Sequence, residues 1–225
     1  SWRSYRVLRP SGGETCRLAL EPEEVGPLME ARLNESIRRW NLLDSEFYQA
    51  WSAGTLPVEA LRDYAREYGA FIALIAKGWN GHGDSATAAI EREHVGLWSD
   101  FAAAFGTEIG SPRTDAVIRL RETADRLFDN GASSLGALYA FEAQQPATSR
   151  SKLEGLRAHY DVSSKAETYF EVHQNDEKEP RLLLDRIAAL SAGEQHIAAE
   201  ACETMCRSLR AALDELYKRH AVNLQ

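Results

Sequence analysis

The chain has 225 residues, of which 44% are hydrophobic and 27% charged, and this composition is typical of globular proteins rather than disordered or fibrous ones. Its formal net charge of −8 argues against nucleic acid or an anionic membrane surface as the main partner, because both attract concentrated Lys and Arg. No apolar stretch approaches the roughly 20 residues of a membrane span, and residues 2–17 lack the apolar core of a signal peptide, so we expect a cytoplasmic protein.

The sequence predicts an irregular segment over residues 1–22, followed by one helical domain over residues 23–225. No alternating strand pattern persists beyond a few residues, so we expect an all-α protein. In chain order, the predicted helices cover about residues 23–48, 57–79, 85–105, 114–129, 134–145, 149–160, 165–179 and 193–220. Asp84 is the predicted N-cap of the third helix. Pro180 should kink or restart a helix and leave Glu179 outside regular helix.

Three cysteines form no paired spacing, which indicates a reducing compartment. Cys202 and Cys206 lie four residues apart and would share one face of the last helix. No His or further Cys lies beside them at ligand spacing, so burial as small hydrophobic residues is favoured over a metal site. Cys16 precedes the predicted helices.

Glu91 and His94 lie three residues apart in the third predicted helix, so their side chains share a face. Helix bundles that bind two iron or manganese ions use Glu-x-x-His pairs of this kind, because carboxylate oxygen and imidazole nitrogen suit these metals. Exposed helices also carry Glu and His by chance. For the pair alone, a solvated helix face is therefore the favoured interpretation.

Further polar residues extend this pattern. Glu142 interrupts an apolar helix, where an unpaired buried carboxylate costs several kcal/mol, and either a metal or an Arg or hydroxyl partner would satisfy it. His173, Asp176 and Glu179 follow one another at steps of three. Together with Glu91 and His94 they give the four carboxylates and two imidazoles of a bundle di-iron site. Two ferrous ions would also cancel the charge of four carboxylates.

Several motifs resemble those of the haem-oxygenase-like helical proteins, in particular the di-iron oxidase branch that includes the p-aminobenzoate synthases. They span residues 47–56, 64–68, 94–98, 137–156 and 169–173. The resemblance implies a haem-oxygenase-like helical bundle and a non-haem, O2-dependent oxidase or oxygenase acting on a small organic substrate. It also implies Fe(II) as the cofactor, with two ions per site and Mn as the alternative metal.

Carried over position by position, the resemblance makes His94, Glu142 and His173 metal ligands and Glu91 an upstream carboxylate ligand. The family continues the His173 motif with an Asp four residues on and a second His. In this chain Asp176 comes one place early and no second His follows, so Glu177 or Glu179 would have to substitute. The sequence therefore leaves open whether the site binds one iron ion, two iron ions, another metal or no metal.

The resemblance also implies roles for Tyr48 and Lys152. In p-aminobenzoate synthases a tyrosine of the protein supplies the aromatic ring and a lysine supplies the amino group, and these residues stand at the matching positions. From the residues alone, Tyr48 is an ordinary core tyrosine and Lys152 a surface lysine. Phe141 stands where the synthases have a tyrosine. Oxidation of a separate small organic substrate is favoured over this self-sacrificing reaction.

Two other classes of function remain alternatives. A thiaminase-like hydrolase needs an active-site cysteine in the bundle, whereas here Cys16 precedes the bundle and Cys202 and Cys206 lie on the last helix. A metal-free binding or interaction protein would keep the fold without the chemistry. As reaction partners we expect O2 and a small-molecule substrate, and a homodimer is left open. A dry cavity is expected to be lined by Trp51, Tyr68, Phe71, Trp98 and Tyr139, and His82 is expected to be an exposed loop residue.

Overall fold

A computed structural model describes residues 22–221, and every regular element in that range is helical. The α-helices are α1 (Pro22–Arg39), α2 (Glu46–Ser52), α3 (Val58–Ile72), α4 (Ile75–Gly81), α5 (Ser85–Ala104), α6 (Asp115–Leu127), α7 (Gly131–Glu142), α8 (Gln145–His159), α9 (Thr168–His173), α10 (Lys178–Ala188) and α11 (Ala192–Ala221). Short 3-10 helices cover Leu42–Asp44 and Ser164–Ala166. The all-α prediction is confirmed. Apart from Pro22, the predicted segment 1–22 lies outside the described residues, as does Cys16.

The first predicted helix is divided in two. Asn41 caps the 3-10 helix that follows α1, and its side chain accepts a hydrogen bond from the Leu43 N–H. Ser45 then caps α2, with its hydroxyl oxygen accepting from the Tyr48 N–H. Asn and Ser compete with the helical backbone for these bonds and so favour a new helix start. The predicted helix over 57–79 is also divided, since α3 ends at Ile72, and no proline or glycine marks that end.

The predicted helix over 165–179 is wrong. The chain forms α9, leaves the helix after His173, and begins α10 at Lys178, whose N–H is accepted by the Asp176 side chain. Pro180 lies in the first turn of α10, where its missing N–H breaks no helical hydrogen bond. Glu179 is therefore helical, contrary to the expectation from its position before proline.

Helix α7 forms the centre of the bundle. Every residue from 132 to 142 is buried, and the helix packs chiefly against α11. A Cβ atom at Gly136 would overlap the carbonyl oxygen of Ala198, so this glycine allows the two backbones to approach closely. Helix α7 ends at Glu142, four residues before Pro146, which has no N–H to bond the Glu142 carbonyl. A buried carboxylate is thus fixed at a helix end inside the bundle.

Other expectations can be compared directly with the structure. Asp84 caps α5 by accepting from the Thr87 N–H, as predicted. Cys202 and Cys206 are free and fully buried, which confirms their assignment as core residues. His82 differs from the expectation, because it is half-buried and its Nδ1 accepts a hydrogen bond from Arg186 Nη1 at 3.0 Å. Within residues 22–221, no helix is both long and apolar enough to cross a membrane.

Candidate metal centre

Three predicted ligands converge between α5 and α9. Glu91, His94 and His173 each offer a ligand atom, and these atoms all lie within 4.8 Å of one another. The two imidazole rings are 4.7 Å apart between centroids and nearly perpendicular, at 77°. Glu91 and His173 are buried, at 4% and 2% exposure. The i, i+3 pair on α5 and the last residue of α9 therefore meet in a largely buried place, where His94 is half-buried.

The backbone holds the ring of His173 in one orientation. Its Nδ1 lies 2.6 Å from the carbonyl oxygen of Tyr169, one turn earlier in α9. A carbonyl only accepts, so Nδ1 carries the proton and the lone pair of Nε2 is left for another partner. Metal-bound histidines are usually held by a second-shell hydrogen bond of this kind. Burial, together with the nearby charge of His94, lowers the pKa of His173, which favours the neutral ring.

Glu91 and His94 face each other across one turn of α5. Glu91 Oε1 lies 3.2 Å from His94 Nδ1, and neither atom has another partner among residues 22–221. Burial alone would lower the pKa of His94, but the attraction of Glu91, helped by the charges of Glu179 and Asp176, raises it. In the metal-free protein the carboxylate therefore favours a protonated imidazole.

The remaining predicted carboxylates lie around Glu91, His94 and His173 but are not among the three residues whose ligand atoms meet. Glu142 is 2% exposed, and burial followed by the charges of Glu179 and Glu91 raises its pKa well above the usual range. Burial and the charges of Glu91 and Asp176 raise the pKa of Glu179 to about 8. Asp176 is half-buried in the break between α9 and α10. The four carboxylates are thus close enough to repel one another.

Tyr48 and Lys152 pack against each other in the same interior. Lys152 Nζ lies 5.3 Å from the ring centroid of Tyr48 and 4.8 Å from that of Phe170. Lys152 is 3% exposed, which contradicts its interpretation as a surface lysine. Burial lowers its pKa to about 7, and no charged group of residues 22–221 offsets that effect. The Tyr48 hydroxyl is hydrogen-bonded to that of Tyr64 at 2.9 Å.

The sequence model of a family described as iron-containing redox enzymes matches residues 68–213, which include every predicted metal ligand and Lys152. The chain belongs to this family of iron-containing redox enzymes. A 4-aminobenzoate synthase from Chlamydia pneumoniae is 30% identical to this redox enzyme over 165 residues, which cover 63% of this chain and 73% of that protein.

Solved structures with low identity share the fold of this redox enzyme. A TenA homolog from Pseudomonas syringae pv. tomato superposes with a TM-score of 0.71 at 14% identity, covering 93% of this chain and all of that one. A domain with a heme oxygenase-like fold from Shewanella denitrificans gives 0.68 at 13% identity, covering 92% and 96%. These likenesses confirm the expected haem-oxygenase-like helical bundle.

The residues of the centre fit an iron or manganese ion. Glu91 Oε1, His94 Nδ1 and Glu142 Oε1 are buried polar atoms without a hydrogen-bond partner within residues 22–221. Buried polar atoms are normally satisfied, so each unsatisfied atom needs an explanation. Carboxylate oxygens and imidazole nitrogens together form the ligand set of non-haem iron and manganese. Glu142 and His173 are also the last residues of their helices, where the helix dipole favours a cation.

The raised pKa values predict that metal affinity in this redox enzyme increases with pH. In the metal-free state the pKa values of three of these groups are raised, so they keep their protons to a higher pH than usual: Glu142, Glu179 and His94. A metal needs them deprotonated, so binding releases protons and becomes tighter as pH rises from about 6 to about 8. Calorimetric titration with Mn(II) in buffers of different ionisation enthalpy measures both the affinity and the number of protons released. In E179Q the pH dependence should be weaker, and an affinity independent of pH in the wild type would contradict this account.

Two residues around the centre were not assigned a role by sequence reasoning. The carbonyl oxygen of Tyr169 accepts a hydrogen bond from His173 Nδ1–H, and the Tyr169 hydroxyl accepts one from Gln145 Nε2. The hydroxyl of Tyr64 is hydrogen-bonded to that of Tyr48. The Tyr169 contact had a signal, the i, i+4 spacing to His173, whereas the Tyr64 contact depends on how α2 and α3 pack. Tyr139, expected beside the other cavity residues, instead donates to Asn34 Oδ1 of α1 at 2.8 Å.

Proposed function

We propose that this chain is an O2-dependent oxidase that holds non-haem ferrous iron through Glu91, His94, Glu142 and His173. The observation that carries the proposal is the convergence of three ligand atoms within 4.8 Å in a buried centre whose polar atoms lack partners. Asp176 and Glu179 would complete the donor set for a second ion in place of the missing histidine. Iron bound there would supply the electrons and the open coordination positions with which O2 is reduced.

The protein's own groups prepare this centre. The Tyr169 carbonyl would present His173 Nε2, and the charge attraction between Glu91 and His94 would hold these two side chains beside each other until a metal binds. The surrounding aromatic side chains are fully buried and exclude water, which limits loss of an oxidising equivalent to solvent. The four carboxylates would lose their mutual repulsion when divalent ions bind.

The proposed reaction is the self-sacrificing formation of 4-aminobenzoate, in which Tyr48 supplies the aromatic ring and Lys152 the nitrogen. The support is the burial of Lys152 against the Tyr48 ring without a compensating charge. A lysine with a pKa near 7 is substantially an uncharged amine at neutral pH, which is the nucleophilic form. The name of the chlamydial relative points to the same product.

The Y48F variant tests this reaction. Wild-type protein incubated with Fe(II), a reductant and O2 should release at most one 4-aminobenzoate per chain, and peptide masses should change at Tyr48 and Lys152. Y48F lacks the phenol but keeps the ring, so it should bind iron normally and release no product. Mass spectrometry of both peptides and chromatography of the small-molecule fraction measure these outcomes.

Y139F is the matched control, because the Tyr139 hydroxyl bonds Asn34 of α1 and should not affect the reaction. Product from Y48F at the wild-type yield would contradict the self-sacrificing reaction. An unmodified Tyr48 peptide together with turnover of an added small organic compound would instead support an ordinary oxidase.

A further inference from the structure

Arg186 joins α10 to the start of α5, the helices that carry Glu179 and Glu91. Its Nη2 donates to Asp84 Oδ2 at 2.8 Å, and its Nη1 donates to His82 Nδ1 at 3.0 Å. We propose that Arg186 is a positioning residue, which holds Glu179 beside Glu91 before metal binds and so keeps the site of the second ion assembled. The inference rests on the proposed function and adds to it a residue outside the donor set.

The guanidinium of Arg186 is fixed by two side chains of one turn. The ion pair with Asp84 is partly shielded from water, since the Asp84 side chain is 11% exposed and that of Arg186 34%. Asp84 Oδ1 accepts the N-cap hydrogen bond from the Thr87 N–H, so the other oxygen is left for Arg186. Arginine can only donate, so His82 Nδ1 accepts. Burial and the Arg186 charge lower the pKa of His82, which favours the neutral ring that can accept this bond.

Helical spacing places this contact in register with the carboxylates. Asp84, the N-cap of α5, lies seven residues before Glu91, and Arg186 lies seven residues after Glu179 in α10. Seven residues are close to two turns, so in each helix the carboxylate shares a face with the contact residue, roughly 10 Å along the axis. After burial, the charge of Glu91 is the main cause of the raised pKa of Glu179, which places these carboxylates near each other. The two segments therefore run side by side from the Arg186 contact to the facing carboxylates.

Glu179 needs such a contact because other negative charges lie around it. It lies in the first turn of α10, and the charges of Glu91 and Asp176 both act on it. In the metal-free protein, like charges at short range repel one another, which favours movement of α10 away from α5. A contact elsewhere along α10 must therefore draw the two helices together.

Arg186 supplies that contact. Among residues 22–221, α10 forms two ion pairs. The pair Arg181–Asp185 lies within the helix and fixes nothing outside it, whereas Arg186–Asp84 joins the helix to α5. Loss of the Arg186 guanidinium should therefore release the start of α10, and Glu179 with it.

Hydrogen exchange of the metal-free protein tests the contact directly. In R186M the first turns of α10 should exchange roughly fivefold faster than in the wild type, because methionine keeps the aliphatic stem and loses the ion pair. Helix α6, which lies apart from Arg186, should exchange as before. R181M is the matched control, because it removes an exposed arginine of the same helix, and it should leave α10 unchanged. Equal exchange of α10 in wild type and R186M would overturn the inference.

The D84N variant separates the ion pair from the helix cap. Asparagine caps helices as well as aspartate does, so its oxygen should keep the bond from the Thr87 N–H while its NH2 group faces Arg186. D84N should therefore release α10 as R186M does and leave α5 intact. R186K restores a positive charge opposite Asp84 and should recover part of the protection. Faster exchange in α5 alone would overturn the inference, since Asp84 would then serve only as a cap.

Titration with Mn(II) at pH 8 measures the consequence for the second ion. Electron paramagnetic resonance distinguishes a single bound Mn(II) from two neighbouring ions, whose signals are coupled. The wild type should bind two ions. R186M should bind the first ion as the wild type does and the second roughly 10- to 100-fold more weakly, the range seen when supporting partners of metal ligands are removed. R186K should recover part of this affinity, and R181M should match the wild type.

The outcomes separate this inference from the proposed function. If the wild type binds no metal, the proposed function fails, and the site of the second ion fails with it. If the wild type binds two ions and R186M holds the second as tightly, the inference fails alone. A wild type that binds a single ion would likewise contradict the inference and leave the first site in place. Equal weakening of both ions in R186M would also overturn it, because the effect would then follow general loss of structure.

Discussion

Replacing Lys152 by methionine should stabilise the metal-free protein by roughly 3 kcal/mol at pH 7 and abolish product formation. Burial lowers the pKa of Lys152 from 10.5 to about 7, so the folded protein binds fewer protons than the unfolded chain between these values. Unfolding free energy should therefore rise with pH across this window in the wild type. Methionine fills similar space and has no amine to desolvate. K152M should therefore have a larger free energy of unfolding than the wild type at pH 7, and its free energy of unfolding should rise less with pH across this window.

Urea unfolding of the wild type and K152M at pH 7 and near pH 10 measures these effects. The stabilisation should shrink at the higher pH, where the unfolded chain also begins to lose its lysine proton. K165M is the matched control, because Lys165 is exposed and its replacement should change stability by no more than about 0.5 kcal/mol. A destabilised K152M would show that the amine is compensated in the folded protein, and the argument for a neutral amine would fail.

Replacing His173 by glutamine should weaken iron binding by at least roughly 10- to 100-fold, the range seen when even the supporting partners of metal ligands are removed. The amide can still occupy the space beneath α5, but it cannot present an imidazole nitrogen held by the Tyr169 carbonyl. The variant should also leave Tyr48 unmodified after exposure to O2. Anaerobic titration with Fe(II), followed by metal analysis, gives the affinity.

H196Q is the control for this experiment, because His196 is an exposed residue of α11 outside the convergence. It should bind iron as the wild type does. Unchanged iron affinity in H173Q would remove His173 from the ligand set. If neither protein bound iron, the metal-free binding protein would become the better account of the fold.

The sequence predicts the centre better than its surroundings. The three-residue spacing of Glu91 and His94 and the apolar neighbours of Glu142 are local properties, and the helices preserve them. The positions of Asp176 and Glu179 were harder to predict, because helical periodicity does not indicate the break after His173, where the Asp176 side chain accepts a hydrogen bond from the Lys178 N–H. Their ligand roles stay predictions.

Lys152 shows why the surroundings of the metal centre could not be predicted from the sequence alone. Its neighbours Arg150 and Ser151 are polar, so the local pattern indicates a surface helix. Its burial depends on how α8 packs against α2 and α9, which brings the rings of Tyr48 and Phe170 over the amine. Only the resemblance to a family indicated a role for this residue, because contacts between distant segments have no local signal.

Iron content after anaerobic loading tests the central claim most directly. Protein loaded with Fe(II) without O2 and passed over a desalting column should retain about one or two iron ions per chain, as helix-bundle carboxylate centres do. E91Q and H173Q should retain much less under the same conditions. Iron in the wild type no higher than in these variants would contradict a metal centre at Glu91, His94 and His173.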